Sequence, residues 1–171
     1  MKKYLFILSL LHFIKCKPPE KNEKVKLVVV ISIDQMKGEY LSRFNPQLEA
    51  GFKYLLDSAI VYTNVHHNHS TTTTAAGHAT LATGFFPSHN GITDNTVYSR
   101  ALGYKHYSIT DTTVRFVGVE SCDLNRVSAK PLLKNTLGDY VKESDNESKS
   151  FSVALKDRAS ILMGGKTANR A

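Results

Sequence analysis

The apolar positions of the chain alternate between continuous runs and amphipathic segments. Residues 27–34 (LVVVISID) form an almost unbroken β-branched run, which is typical of a strand buried on both faces. Residues 46–58 place apolar side chains at helical spacing, and residues 74–83 (TAAGHATLAT) predict a helix of small residues that ends at Gly84.

The same alternation continues towards the C-terminus. We predict further strands over residues 60–66 and 151–155, and a helix over residues 128–143 that Ser128 caps. Residues 85–126 are rich in Gly, Tyr, Ser and Thr and are expected to form loops and short strands. Strands that alternate with helices predict an α/β fold with a doubly wound, mostly parallel sheet, which binds ligands at the carboxyl ends of its strands.

The first 16 residues have the pattern of a targeting signal. Two lysines precede an apolar run over residues 4–14, which is too short to span a bilayer but suits a signal peptide. Cys16 follows directly and resembles the lipid-attachment site of bacterial lipoproteins, although large residues precede it; a buried N-terminal helix is the alternative. We expect an exported chain, periplasmic or anchored to the envelope membrane through a lipidated Cys16. Residues 17–26 would be a polar linker and residues 27–171 the folded region.

Composition and charge narrow the functional classes. The chain has 171 residues, 42% hydrophobic and 22% charged, which excludes a wholly disordered or fibrous protein. Two cysteines exclude a disulfide-stapled scaffold. Removal of residues 1–15 takes away three lysines and lowers the net charge from +7 to +4. No Lys/Arg stripe with interleaved aromatics follows, so we expect no nucleic-acid partner.

Asp34 and the hydroxyl run Ser70–Thr74 are the first candidates for chemistry. Asp34 ends the first predicted strand, where a carboxylate holds a metal or acts as a base but is also often only solvated. Hydroxyls before a helix are usually caps, yet the same position suits an oxyanion or phosphate. A threonine hydroxyl becomes a nucleophile only when a metal or base lowers its pKa.

Three segments resemble the alkaline phosphatase superfamily: IDQMKGEYLSRF at residues 33–44, TTTTAAGHATLATGFFPSHNGITDN at residues 71–95, and ALKDRASILMGGKTANRA at residues 154–171. Within it, they are most similar to the phosphate-irrepressible alkaline phosphatases, relatives of the nucleotide pyrophosphatase/phosphodiesterases. The resemblance extends over residues 27–171 and implies the N-terminal part of a catalytic domain of the alkaline phosphatase type.

The resemblance implies a role for five residues. Asp34 matches the first carboxylate ligand of a site for two zinc ions, and Thr74 matches a zinc-bound nucleophile that forms a phospho-threonine. Asn95 matches a donor to a phosphate oxygen, and Lys156 and Arg158 match a pair that contacts the phosphoryl oxygens. Two residues apart on or just past a strand, Lys156 and Arg158 would point to one face.

These roles imply zinc-dependent hydrolysis of small phosphate monoesters. Diesterase relatives lack the cationic pair of Lys156 and Arg158, so the pair favours a monoester. Two alternatives stay open: a phosphodiesterase or nucleotide pyrophosphatase of the same superfamily, and a non-catalytic exported lipoprotein fragment.

The histidines near the threonine run invite a zinc assignment that the resemblance does not support. His66, His67 and His69 are not expected to be ligands, because the zinc histidines of the family lie much later in the chain. His78 and His89 belong to the motif, and we expect them to make structural hydrogen bonds.

Most of the metal ligands that the resemblance implies are missing. Among them only Asp34 and Thr74 are present, and no histidine follows His106. A catalytic zinc takes about three protein ligands. We therefore expect an incomplete sheet and metal site, and a 171-residue chain that is inactive by itself as the N-terminal piece of a larger phosphatase.

Overall fold

A computed structural model describes residues 25–118 and 123–171. The chain divides into two units, Met1–Ile31 and Ser32–Ala171. The predicted signal peptide, Cys16 and most of the predicted linker lie outside the described residues. Within the described part, no helix is long and apolar enough to cross a membrane.

The described residues form short helices and one hairpin. In chain order, these elements are α1 (Glu39–Arg43), a 3-10 turn (Asn45–Gln47), α2 (Ala50–Ser58), α3 (Thr74–Thr83), α4 (Pro87–Asn90), β1 (Thr96–Ser99), β2 (Tyr104–Tyr107), α5 (Leu137–Ser144) and α6 (Asp157–Gly164). Strands β1 and β2 pair antiparallel, with Thr96 opposite Tyr107 and Ser99 opposite Tyr104.

Helices α3 and α6 pack together at the core of the second unit. Alanines line much of α3, and their small side chains let neighbouring backbone approach closely. The buried cluster consists of Ala75, Ala79, Ile92, Ile109, Ala129, Leu132 and Leu162. This packing holds the N-termini of the two helices, where the candidate site residues lie.

The prediction for α3 is confirmed in its bounds. The helix spans Thr74–Thr83, and Gly84 ends it in the left-handed conformation with φ 72°. Glycine adopts this conformation without the Cβ penalty of other residues, so the backbone turns sharply after Thr83.

The three predicted strands are not formed in the described residues. Residues 27–34 and 60–66 have no strand pairing, and residues 151–155 make only an isolated parallel bridge between Phe151 and Arg170. The apolar side chains of these segments are largely exposed. A strand that is buried on both faces needs neighbouring strands for its backbone hydrogen bonds, and the described residues supply none.

Two helix predictions need correction. Residues 46–58 divide into the 3-10 turn and α2, with a break at Leu48–Glu49. The helix predicted to begin at Ser128 begins instead at Leu137, because Thr136 and Asp139 form a capping box there. No element was predicted over residues 157–164, where the structure forms α6.

Candidate functional site

Asp34, Thr74 and Lys156 meet at the N-terminus of α3. The Thr74 hydroxyl donates to Asp34 Oδ2 at 3.0 Å, and the Lys156 ammonium donates to the same oxygen at 2.7 Å. Lys156 Nζ lies 3.5 Å from Thr74 Oγ1. These residues are far apart in the sequence, so the fold itself assembles a hydroxyl, a carboxylate and an ammonium.

The charge of Asp34 is stabilised in this cluster. Its hydrogen bond from Lys156 lowers the pKa of the carboxyl below its ordinary value, against the opposing effect of partial burial, and the Thr74 hydroxyl lowers it further. The side chain of Asp34 is 34% exposed and that of Lys156 is 43% exposed. Asp34 is therefore an anion at neutral pH, able to accept the hydrogen bond from Thr74 or to bind a cation.

Thr74 is the first residue of α3, and its side chain is largely buried. The exposed N–H groups of a helix N-terminus and the helix dipole favour negative charge at this point. A ring nitrogen of His78, one turn along, donates to the Thr74 carbonyl oxygen at 2.8 Å. This bond has the structural character expected for His78.

Asn95 lies beside the N-terminus of α3, and a backbone N–H group of that helix fixes its side chain. Its side-chain oxygen accepts from the Ala75 N–H at 2.9 Å, which leaves the amide NH₂ free to donate to a ligand. Asp94 fixes the same loop, because its carboxylate accepts from the Thr73 hydroxyl at 2.9 Å and from the Asn95 N–H at 2.6 Å. The motif predicted Asn95 but gave no reason to select Asp94.

Lys156 and Arg158 were expected to lie on or just past a strand and to point to one face, but no strand forms over residues 151–155. Lys156 is the N-cap of α6, and Arg158 is the second residue of that helix. In a helix, residues two apart do not share a face. Accordingly, Lys156 reaches Asp34, whereas Arg158 donates to the Tyr107 hydroxyl at 2.9 Å.

Tyr107 is a site neighbour that sequence reasoning missed. Its hydroxyl also donates to Asp157 at 2.6 Å, and its ring centroid lies 5.8 Å from the Arg158 guanidinium carbon. Burial and the hydrogen bond to Asp157 raise the pKa of Tyr107 despite the opposing effect of Arg158. No local pattern could have found this contact, because fifty residues separate Tyr107 from Asp157.

The oxygen donors for a metal are present only in part. Asp34 and Thr74 bring two oxygens within 3.0 Å of each other, which is compatible with ligands to one ion. In the ranges 25–118 and 123–171, no group of three or more His, Cys, Asp or Glu side chains could hold a metal ion. Since a zinc site needs about three protein ligands, these residues do not make one by themselves.

The histidine cluster before α3 has its own internal contacts. The His67 and His69 rings lie 5.1 Å apart, and His69 packs edge-on against Phe86 at 6.3 Å. Burial, with a smaller effect of His67, lowers the pKa of His69. His66 is exposed and bonds to Asn64. These contacts do not gather the three side chains around a common point.

Comparison with known proteins identifies a family model and several relatives that match most of this chain. A model of the type I phosphodiesterase / nucleotide pyrophosphatase family matches residues 28–151. Alkaline phosphatase PafA of Elizabethkingia meningoseptica is 40% identical over 142 residues, which are 82% of this chain and 26% of that protein. A protein named calcium-transporting ATPase from Myroides odoratus is 40% identical over 154 residues, 89% of this chain and 28% of its own length.

Solved structures agree with the sequence relatives. Wild-type alkaline phosphatase PafA matches with a TM-score of 0.77 at 38% identity, over 81% of this chain and 27% of that chain. A PafA variant with a threonine, an asparagine, a lysine and an arginine substituted matches with the same TM-score at 35% identity. The fold is therefore α/β of the alkaline phosphatase type, and the chain spans about a quarter of the length of these relatives. By its match over residues 28–151, the chain belongs to the type I phosphodiesterase / nucleotide pyrophosphatase family.

Proposed function

We propose that the chain is part of an enzyme that hydrolyses small phosphate monoesters, with Thr74 as the nucleophile. The observation that carries this proposal is the Thr74 hydroxyl at the start of α3, within hydrogen-bonding distance of the Asp34 carboxylate. A hydroxyl at this position faces the dipole and N–H groups that favour an incoming phosphoryl group.

The proposed reaction has two displacements at phosphorus. In the first, Thr74 Oγ1 forms a bond to phosphorus, the bond to the alcohol oxygen breaks, and the alcohol leaves with a proton. In the second, water forms a bond to phosphorus and the bond to Thr74 breaks, releasing inorganic phosphate and restoring the hydroxyl. Asp34 orients the Thr74 hydroxyl, Lys156 offsets negative charge beside it, and the Asn95 NH₂ donates to a phosphoryl oxygen.

We further propose that the complete protein uses two zinc ions, with Asp34 and Thr74 among their ligands. Zinc bound to the threonine oxygen would supply a lowered hydroxyl pKa, and zinc near the leaving group would stabilise its charge. The remaining ligands would have to come from residues other than those described.

The solved PafA variant supports this choice of residues. In that variant a threonine, an asparagine, a lysine and an arginine are substituted. The first two are separated by the same interval as Thr74 and Asn95, and the last two are again two positions apart, like Lys156 and Arg158. We infer that these four side chains of the present chain serve the same reaction.

Substitution of the nucleophile tests the proposal. In a form of the protein that extends over the full length of its relatives, Thr74→Ala should lower p-nitrophenol release from its phosphate ester by at least about a thousandfold. Thr71→Ala, a change in an exposed threonine of the same run, is the matched control and should keep activity. Undiminished turnover by Thr74→Ala would contradict the assignment.

A diesterase or nucleotide pyrophosphatase is the second candidate, favoured by the description of the matching family. The substrates of the two candidates differ in the number of phosphoryl oxygens that they offer to Lys156 and Arg158. A monoester dianion leaves three unesterified phosphoryl oxygens for Lys156 and Arg158, whereas a diester replaces one of these with a second ester group. Comparison of kcat/KM for p-nitrophenyl phosphate and bis-p-nitrophenyl phosphate separates them, and a preference for the diester would favour the second candidate.

We propose export for this enzyme, with residues 1–15 as the removed part of its signal and Cys16 as a lipid anchor. The support is the sequence pattern of two lysines, a short apolar run and a directly following cysteine. Labelled palmitate should be incorporated into the wild-type protein and not into Cys16→Ser. Equal labelling of both would contradict lipidation at this position.

A further inference from the structure

The β1–β2 hairpin connects Asn95, a proposed phosphate contact, to Tyr107, which contacts Arg158. Asn95 directly precedes β1, and its carbonyl oxygen accepts from the Ser108 N–H at 3.0 Å. Thr96, the first residue of β1, pairs with Tyr107, the last residue of β2. The strand end that carries Tyr107 is therefore fixed relative to Asn95 by backbone hydrogen bonds.

The Tyr107 hydroxyl lies between a carboxylate and a guanidinium. It donates its one proton to Asp157 Oδ1 at 2.6 Å, so its lone pairs are free for Arg158, which donates from Nη1 at 2.9 Å. Asp157 Oδ1 also accepts from the Arg158 N–H at 2.6 Å. The phenol is protonated at neutral pH, as this arrangement requires, since burial and Asp157 raise the pKa of Tyr107 above its ordinary value of 10.0.

These contacts fix the Arg158 side chain but use only part of its hydrogen-bond donors. Its side chain is 23% exposed, and Tyr107 takes one of its five N–H donors. The Nε atom is buried and has no hydrogen-bond partner. Because Nε is buried, a phosphoryl oxygen would bind to the N–H groups on the exposed part of the guanidinium. Fixing a long side chain before a ligand arrives also reduces the entropy lost on binding.

We propose that Tyr107 and Asp157 are positioning residues that hold the Arg158 guanidinium ready for the phosphoryl group of the substrate. The hairpin then fixes the direction of Arg158 relative to the Asn95 donor. This inference rests on the proposed function, because it assigns the phosphoryl oxygens to Arg158. It goes beyond that function by giving Tyr107 a role in selecting monoesters, which offer Arg158 one more unesterified oxygen than diesters do.

The test compares Tyr107→Phe, Arg158→Ala and the double variant in the full-length form, with Tyr104→Phe as control. Tyr104 lies on the same strand, and its side chain is exposed. The readouts are the inhibition constant of inorganic phosphate, kcat/KM for the monoester and diester, and the thermal midpoint. Tyr107→Phe should weaken phosphate inhibition about tenfold, the typical effect of one hydrogen bond to a charged group, while Tyr104→Phe leaves it unchanged.

Three results together would support the positioning role. The loss in Tyr107→Phe should be larger for the monoester than for the diester, and it should disappear when Arg158 is already alanine. Asp157→Asn should show the same pattern, which keeps the test decisive if Tyr107→Phe folds poorly. A purely structural contact would instead lower the thermal midpoint and weaken both esters equally, with or without Arg158.

The outcomes separate this inference from the proposed function. If the wild-type protein hydrolyses the monoester and Arg158→Ala weakens it while Tyr107→Phe and Asp157→Asn match the wild type, only the positioning role is overturned. If the wild-type protein neither hydrolyses the esters nor binds phosphate, the proposed function fails and the positioning role fails with it.

Discussion

At the scale of single residues, some members of the site could be predicted from the sequence and others could not. Thr74 and Asn95 could be selected because each lies in a short motif with fixed spacing beside one helix. Lys156 and Arg158 were selected for the same reason, but they do not share a face, because Lys156 caps α6 and Arg158 is the second residue of that helix. Tyr107 could not be found, since its partners Asp157 and Arg158 come near only through the fold.

Ser128 provides a residue-scale test of hydrogen bonding. It was expected to cap a helix, but its hydroxyl donates to Asp111 Oδ2 at 2.6 Å instead. This bond, followed by bonds from Thr113, lowers the pKa of Asp111 to about 2. We expect Ser128→Ala to raise that pKa towards the ordinary value of 3.8, as measured by carbon-13 NMR of the carboxyl group during acid titration.

The same contacts of Asp111 determine how the stability of the folded chain depends on pH and which variant serves as the control. A carboxyl with a lowered pKa stabilises the folded chain fully above pH 4 and loses this effect as the pH falls from about 4 to about 2. Ser128→Ala removes part of that stabilisation. Lys130→Ala serves as control, because Lys130 makes the smallest contribution to the shift. A larger change from Lys130→Ala than from Ser128→Ala would contradict the assignment.

Asp139 is a fully buried carboxylate that joins α5 to the segment after α6. Burial alone would raise its pKa, but donors from Thr136 and Thr167 outweigh this and lower it. The Thr136 N–H and the Thr167 N–H donate at 2.9 and 2.8 Å, and the Thr167 hydroxyl donates at 2.7 Å. These bonds explain why the helix begins at Leu137 and not at Ser128.

We expect Asp139→Ala to lower the free energy of unfolding by about 3 kcal/mol, since it removes a cap and leaves buried donors without partners. Urea unfolding at pH 7 measures the effect. Glu147→Gln, an exposed change just beyond the same helix, should change it by less than about 0.5 kcal/mol. The difference should shrink as the pH falls below the ordinary aspartate value of 3.8, because the wild-type carboxyl then also becomes protonated.

At the scale of elements, helices were easier to predict than strands. The bounds of α3 follow from its own residues: small side chains along the helix and Gly84 at its end. The β-branched runs at residues 27–34 and 60–66 have the right side chains for buried strands, but their pairing depends on partners outside the segment. A strand is thus specified by its neighbours as well as by its own sequence, which explains the errors.

The packing of α6 against α3 predicts a matched pair of leucine variants. Leu162 on α6 is fully buried in the core cluster, whereas Leu81 on α3 is 56% exposed. Leu162→Ala should lower the free energy of unfolding by about 3 kcal/mol through lost contacts and a cavity, and Leu81→Ala by less than about 1 kcal/mol. Similar losses in both variants, measured by urea unfolding, would contradict the assigned core.

At the scale of the molecule, the described residues contain some of the proposed site residues and lack most of the proposed metal ligands. The described residues bring together the Thr74 hydroxyl, the Asp34 carboxylate and the Lys156 ammonium, whereas Arg158 contacts Tyr107, and the chain spans about a quarter of the length of its relatives. The sequence already indicated this, because only Asp34 and Thr74 match the metal ligands that the resemblance implies and no histidine follows His106. The parallel sheet is not formed among the described residues, because its strands need partner strands that these residues do not supply.

The last prediction concerns the 171-residue chain by itself. Asp34 and Thr74 provide two oxygens, and the Lys156 ammonium already bonds to the Asp34 oxygen that Thr74 also contacts. Two ligands bind zinc weakly, so dialysis against micromolar zinc followed by elemental analysis should find less than one bound ion per chain. Turnover of p-nitrophenyl phosphate should be at background level for wild type and Thr74→Ala alike. Two tightly bound zinc ions, or turnover that Thr74→Ala abolishes, would show that these residues complete the site without further ligands.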